Sequence, residues 1–302
     1  MHPRNLLTAA AVIGLCAALT PAAGALSRSG TGAATSTAPV TQTTTTPLRI
    51  LVTNDDGVTA PGLAVLVDAL QALPDVEVTV VAPATNQSGV GDKFSTTAVT
   101  AAPATTANGD AATSVTGTPS DAVLYAVKVA MPLPPHVVVS GTNFGQNLGD
   151  ITTVSGTVGA ARTANRLGIP GVAVSAGFGA NLNASYVTGG SFAAGWVNYL
   201  RSTYLDESRV PQTVNANIPT CGAGALRGIV GVPLGRSSSV SGYTVTSGSV
   251  GNGVFQPTVA TKNPLVNNVD CSTSSTAYDN DIDAFNLGFI TVSLLNPDLQ
   301  DQ

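Results

Sequence analysis

The chain has 302 residues, of which 10% are charged and 43% hydrophobic, and it carries a formal net charge of −5. That length leaves room for one sizeable core, and so few charges leave a neutral, polar surface with no basic field to hold DNA or RNA. Nucleic-acid polymers are therefore excluded as partners.

Residues 1 to 25 open with Arg4, run apolar from Asn5 through Leu19 and end in Ala23-Gly24-Ala25. This is the pattern of a secretory signal peptide cut after Ala25, too short and too early for a membrane anchor, and it predicts a secreted (extracellular or periplasmic) protein. Lipoprotein processing at Cys16 is the alternative, against which bulky Leu15 counts. Residues 26 to 47 are mostly Gly, Ala, Ser, Thr and Pro, a flexible linker that buries too little to repay ordering. Cleavage leaves Cys221 and Cys271, an even pair with one pairing open to it. A disulfide there would close a loop of about fifty residues and contribute about 3–4 kcal/mol on a chain-entropy argument. Two unpaired thiols, or two metal ligands, are the other readings, but a zinc site would want a second pair of Cys or His.

The remaining domain, residues 48 to 302, begins with Arg49-Ile50-Leu51-Val52-Thr53, an apolar run that ends in Asn54-Asp55-Asp56-Gly57. Such a run reads as a buried parallel strand, and its carboxyl end is where open α/β sheets place ligands. Two adjacent carboxylates stay ionised only beside positive charge, so Asp55 and Asp56 are candidate ligands of a divalent cation. A plain Asp-Gly turn reads equally well from this stretch alone. Leu63, Leu66, Val67, Leu70 and Leu73 have helical spacing up to Pro74, and residues 76 to 82 form the next strand, giving a right-handed βαβ unit. Residues 96 to 116 alternate weakly, as hairpin strands do. A helix starts at Gly117-Thr118-Pro119, capped by Thr118 or Ser120, with Asp121 as cap or site residue. Val137-Val138-Val139 predicts a strand buried on both faces, and His136 before it reads as structural. Ser155-Gly156-Thr157 opens another helix whose first turn is a natural anion seat. A strand over residues 171 to 175, a helix from Phe192 to Leu200 and a strand over residues 214 to 219 follow. Regular patterning then fades until residues 288 to 295.

Ser88 lies in the loop after the strand over residues 76 to 82 and Asn143 follows the triple-valine strand on the same rim, so three strand ends supply Asp55, Asp56, Ser88 and Asn143, a hard oxygen set suited to Mg²⁺, Mn²⁺ or Ca²⁺. With Ala60-Pro61-Gly62, Ser88-Gly89, Gly117-Thr118-Pro119, Ser140-Gly141-Thr142-Asn143, Asn147, Ser155-Gly156-Thr157, Asn215 and Asn217, in that order, the sequence resembles the SurE nucleotidases over residues 48 to 219 and again over 281 to 298. The resemblance implies a Rossmann-type α/β three-layer sandwich with a mostly parallel sheet and a β-rich C-terminal extension. It implies a metal-dependent phosphomonoesterase acting on nucleoside 5′- or 3′-monophosphates, with acid phosphatase activity on other monoesters. One Mg²⁺ or Mn²⁺ per subunit would be held by Asp55, Asp56, Ser88 and Asn143. Asn54, Asn147, Ser155, Gly156 and Thr157 would face the phosphate, and a C-terminal hairpin exchanged between subunits would make a homodimer.

The chain also departs from that pattern. Asp298 matches an acidic residue after the last strand, but the His that often follows it is Gln302 here, so water or Asp298 would have to supply the leaving-group proton. Within a C-terminal arm over residues 220 to 302, the stretch from Cys221 to Ser275 diverges, being Gly/Ser-rich where the family builds its dimer arm. The lone His after Ala25 excludes histidine acid phosphatases and zinc phosphatases, and no Gly-x-Ser-x-Gly elbow supports a serine hydrolase. The rival from another class is a secreted, non-catalytic binder of metal and nucleotide that keeps the fold.

Overall fold

Ile50 and Val52 point into one hydrophobic cluster and Leu51 into another, and all three are fully buried. A strand apolar on both faces needs cover on both, which a parallel sheet between two helix layers provides. The computed structural model, which describes residues 46–203, 212–249 and 252–296, has this arrangement. The βαβ unit is β1 (Leu48–Thr53), α1 (Pro61–Gln71) and β2 (Val76–Pro83). An antiparallel pair follows, β3 (Ala101–Thr105) and β4 (Ala111–Val115), in the weakly alternating stretch. Next come α2 (Pro119–Tyr125), β5 (Val137–Phe144), α3 (Gly156–Arg166), β6 (Gly171–Ala176), α4 (Leu182–Thr203) and β7 (Thr213–Ile218). The C-terminal part holds β8 (Cys221–Gly224), β9 (Ile229–Gly231), β10 (Ser238–Ser249), β11 (Asn252–Thr261), β12 (Val269–Cys271), α5 (Asp281–Asn286) and β13 (Ile290–Leu295).

Among the described residues the main sheet has nine strands in the order β3-β4-β2-β1-β5-β6-β7-β13-β9. Pairing is parallel from β4 through β7, while β3 and β13 run antiparallel to their inner neighbours. On one face α1 and α4 pack Leu63, Leu66, Leu70, Phe192 and Trp196 on the sheet; on the other, α2 and α3 pack Val123, Ala160 and Ala164. Consecutive parallel strands leave β1 on opposite sides, β2 one way and β5 the other, so the order reverses at β1. A crevice opens at the carboxyl ends of strands where that happens.

Two stretches differ from the sequence reading. The fourth helix starts at Leu182, not near Phe192. Gly189 and Gly190 lower the helical propensity of its first half, yet they let it lie close: a Cβ on Gly189 would come within 2.9 Å of Thr142 Cγ2, and one on Gly190 within 2.9 Å of Ala69 Cβ. The region after residue 219 is also more regular than expected. Its β9 extends the main sheet, β10 and β11 form a separate antiparallel hairpin, and β8 pairs with β12. Cys221 and Cys271 form a disulfide between β8 and β12 with their Cα atoms 5.6 Å apart. No apolar alternation announces these strands, because the hairpin exposes Tyr243, Val245, Val254 and Val259 and the short pair leans on a cross-link. Residues 1 to 45, and with them the expected signal peptide and most of the linker, lie outside the described residues, as do Asp298 and Gln302.

Candidate active site

The turn after β1 is set by Asn54. Its side-chain Oδ1 accepts the Gly57 N–H at 3.2 Å and its Nδ2 donates to Gly57 O at 2.8 Å. Gly57 can close this turn because its φ is +107°. With both amide atoms engaged and the residue fully buried, Asn54 shapes the loop and does not itself line the cleft, contrary to the expectation that it faces phosphate. The turn delivers Asp55 and Asp56 to the rim where β2 and β5 also end.

Asp55 is 3% exposed and sits against the start of α3. Its Oδ1 accepts the Thr157 hydroxyl at 2.7 Å, and the backbone N–H groups of Gly156 and Thr157 bond to it as well. Burial raises its carboxyl above the usual range, while those donors pull it back. The anion seated on the helix N-terminus is thus Asp55, so Gly156 and Thr157 spend their donors on a carboxylate where the sequence suggested phosphate. Only glycine fits at position 156, since a Cβ there would lie 2.7 Å from Asp55 Cβ. Ser155 is the N-cap, its hydroxyl oxygen accepting the Val158 N–H at 3.1 Å, and it lines the cleft.

Asp56 joins two loops. Its Oδ2 accepts the Phe144 N–H at 2.9 Å and its Oδ1 accepts from Asn86 Nδ2 at 3.4 Å. Asn86 Oδ1 in turn accepts the Ser88 N–H at 2.9 Å. Burial, and then the charge of Asp55, push Asp56 up to about 6. Tyr186 on α4 is pushed up to about 12 by burial and then by Asp56. Asn143 donates from Nδ2 to Gly145 O at 2.7 Å, and its Oδ1 is buried with no hydrogen-bond partner.

Asp55, Ser88, Asn143, Asn147 and Ser155 line one cleft of about 350 Å³ together with Gly89, Gln146, Phe144 and Phe178. Asn147 is braced from β6 and β7: its N–H donates to Asn217 Oδ1 at 2.7 Å, its Nδ2 to Ser175 Oγ at 2.8 Å, and its carbonyl accepts from Asn215 Nδ2 at 2.8 Å. Asn215 and Asn217, polar and buried in an otherwise apolar strand, were the visible signal of this brace. Nothing in the sequence patterning marked Asn86, Gln146, Phe144, Phe178 or Tyr186. Asp121 is a cap in a capping box with Thr118 and also accepts the Ser95 N–H and hydroxyl, so it stands outside the site. His136 Nδ1 accepts the Arg49 N–H at 2.9 Å at the opposite end of β5, as its structural reading required.

A hard divalent cation suits these donors. Two adjacent carboxylates are both raised towards their protonated forms, and a neutral amide oxygen is buried unpartnered beside them. Among the described residues no group of three or more His, Cys, Asp or Glu gathers, so a cation here would draw on neutral oxygens such as those of Ser88 and Asn143 beside the two carboxylates.

The model of the family described as Survival protein SurE matches residues 50–241. A relative from Methanopyrus kandleri named 5'-nucleotidase SurE is 48% identical over 128 residues, 42% of this chain and 48% of that protein, so the chain spans about half of it. A 5'-nucleotidase SurE of Rhizorhabdus wittichii is 38% identical over 193 residues, 62% of this chain and 73% of the relative. A 5'/3'-nucleotidase SurE of Serratia proteamaculans is 40% identical over 182 residues, 60% of this chain and 68% of the relative. The crystal structure of the Sure protein from Aquifex aeolicus superposes with a TM-score of 0.61 at 27% identity, over 83% of this chain and 94% of that one. The doubly wound sheet, the paired aspartates at its switch point and these likenesses agree: the chain belongs to the SurE family.

Proposed function

We propose that this chain is a phosphomonoesterase that removes phosphate from nucleoside 5′- or 3′-monophosphates and from other small monoesters, with one Mg²⁺ or Mn²⁺ held by Asp55, Asp56, Ser88 and Asn143. The observation that carries the reading is the convergence of Asp55, Ser88 and Asn143 on one cleft, with Asp56 hydrogen-bonded to the loops that bring the other two. The relatives' names support the reaction class. When bound, a cation of this kind neutralises phosphate oxygens and acidifies an attacking water.

The chain's own groups do the rest. Asp55 is held by the α3 start in a fixed orientation, so that it can accept a proton from a water placed in line with the leaving group. Ser155 and Asn147 present polar atoms to the phosphate from the cleft wall. Phosphate release from AMP and p-nitrophenyl phosphate, with Mg²⁺ or Mn²⁺ and again with EDTA, tests the proposal. Turnover that EDTA leaves intact would refute the cation site, and no turnover at all would favour the non-catalytic binder.

Two further outcomes follow from the geometry. Gly156→Ala drives a methyl into Asp55, and we expect about a hundredfold loss of turnover with a stability cost of about 1–3 kcal/mol, read by steady-state kinetics and thermal unfolding. The second is a pH dependence. Asp56 in the fold binds its proton up to about 6, above the ordinary 3.8, so its stabilising contribution is complete below 3.8 and is lost as pH rises through about 6. Cation binding requires the deprotonated pair and gains over the same interval. The rise in melting temperature on adding Mn²⁺ should therefore be large at about pH 7.5 and shrink below about pH 6; a shift independent of pH rejects the carboxylate pair as ligands.

We also propose that the protein is secreted. The residues 1 to 25 pattern and the Cys221–Cys271 cross-link, which an oxidising compartment favours, support it. Exposed Tyr243 and Val254 on the β10–β11 hairpin support a homodimer, to be read by light scattering.

A further inference from the structure

The cleft has walls that phosphate chemistry does not use. Phe144 at the end of β5 and Phe178 just after β6 meet edge to face, ring centroids 5.1 Å apart at 81°. They line the cleft with Ile151, Val154 and Leu265. Phe144, Val154 and Leu265 are 52%, 52% and 50% exposed, so three large apolar side chains are left uncovered at one opening. Such side chains scattered singly are ordinary, whereas their convergence on a cleft marks a binding surface. Within the one cleft these side chains form an apolar wall beside the polar groups of Asp55, Ser88, Asn147 and Ser155.

This wall is braced as a site would be. Gln146, 2% exposed, donates from Nε2 to Val266 O at 3.0 Å and accepts the Phe178 N–H on Oε1 at 3.1 Å. Asn268 donates its N–H to Phe178 O at 3.1 Å, and its Oδ1 accepts the Ala180 N–H at 2.9 Å. The segment that carries Leu265 is thereby stitched to the loop that carries Phe178, and the Cys221–Cys271 disulfide anchors that segment shortly after Asn268. Phe144 is tied to the cation site itself, through its N–H on Asp56. An aromatic face held in place beforehand loses little freedom when a ligand docks on it.

We propose that Phe144, Phe178 and Leu265 form the subsite for the planar base of a nucleoside monophosphate, so that this wall separates a nucleotide from the same monoester lacking a base. The proposal rests on the phosphomonoesterase reading and deepens it. A stacking face without charged groups accepts any base, because every base has a π face; discrimination between purine and pyrimidine is then weak while preference for a base is strong.

AMP and ribose 5-phosphate differ at this point only, since they carry the same phosphate on the same sugar carbon. Their kcat and KM, and their Kd by calorimetry with Mg²⁺, should be compared for the wild type, Phe144→Leu and Leu265→Ser. Leu at 144 keeps the backbone N–H that Asp56 accepts. We expect AMP to be favoured by about tenfold or more in the wild type, and this ratio to fall towards one in both variants through KM with little change in kcat. Equal affinities for the two esters in the wild type, or a ratio that neither substitution moves, overturns the subsite. If instead neither ester is hydrolysed, the phosphatase reading fails, and the calorimetric comparison still decides the subsite.

Discussion

Asp55→Asn should lower phosphate release from AMP by at least about a thousandfold in the presence of Mg²⁺ or Mn²⁺ while leaving the fold intact. The amide is the same size and its oxygen can still accept the Thr157 hydroxyl; the backbone N–H groups of Gly156 and Thr157 lose a charged acceptor, a local cost that the relief of burying the charge outweighs. What disappears is the charge. Removing it also relieves a buried carboxylate whose protonated form the fold favours and whose field raises Asp56. The cation-free variant should therefore melt no lower than the wild type, and the thermal shift caused by Mn²⁺ should vanish. Loss of activity with equal or higher stability is the signature of a residue kept for function at a cost to the fold. Near-normal turnover, or an undiminished Mn²⁺ shift, would remove Asp55 from the site.

The second large effect concerns the cross-link. Opening Cys221–Cys271, by dithiothreitol or by the double substitution Cys221→Ser and Cys271→Ser, should cost about 3–4 kcal/mol, since the bond closes a long loop in the unfolded chain. For a domain of this size that is a fall in melting temperature on the order of 10 °C. The loss should be felt at the cleft too. Cys271 packs with Leu148, Val269, Ile282 and Phe285, and Asp281 on α5 accepts the N–H groups of Gly149 at 2.8 Å and Gly235 at 2.6 Å, tying the C-terminal part to the loop after Asn147. Reduced protein should accordingly show a raised KM for AMP before it unfolds. An unchanged melting temperature under reducing conditions would show that the surrounding cluster holds this region without the bond.

Several elements are legible in the amino-acid sequence alone. The run Ile50-Leu51-Val52 and the triple valine of β5 are apolar at every position, and that pattern admits little but a strand covered on both faces. Pro61, Pro74, Pro119 and Gly57 punctuate the chain at element ends, for stereochemical reasons that act locally. Asp-Asp at a strand end, with oxygen-bearing side chains at two further strand ends, marked the candidate site. The length of α4 was hidden by Gly189 and Gly190, whose low propensity is overridden by the close contact they allow. The strands between Ile218 and α5 were hidden because exposed Thr, Ser and Gly carry no periodic signal, whereas β13 showed itself as an apolar run.

Local chemistry and hydrophobic period therefore determined which segments are strands and helices, the parallel sheet, and the rim at which chemistry can occur. Only the tertiary structure decided how the donors are shared out. It gave the α3 start to Asp55 through Gly156 and Thr157, closed Asn54 on its own turn, and brought Phe144, Phe178 and Leu265 together from three distant segments. The reason is that a hydrogen bond or a ring contact between different elements depends on where two side chains meet in space, 102 residues apart in the chain for Thr157 and Asp55, and periodicity along one element carries no record of that meeting.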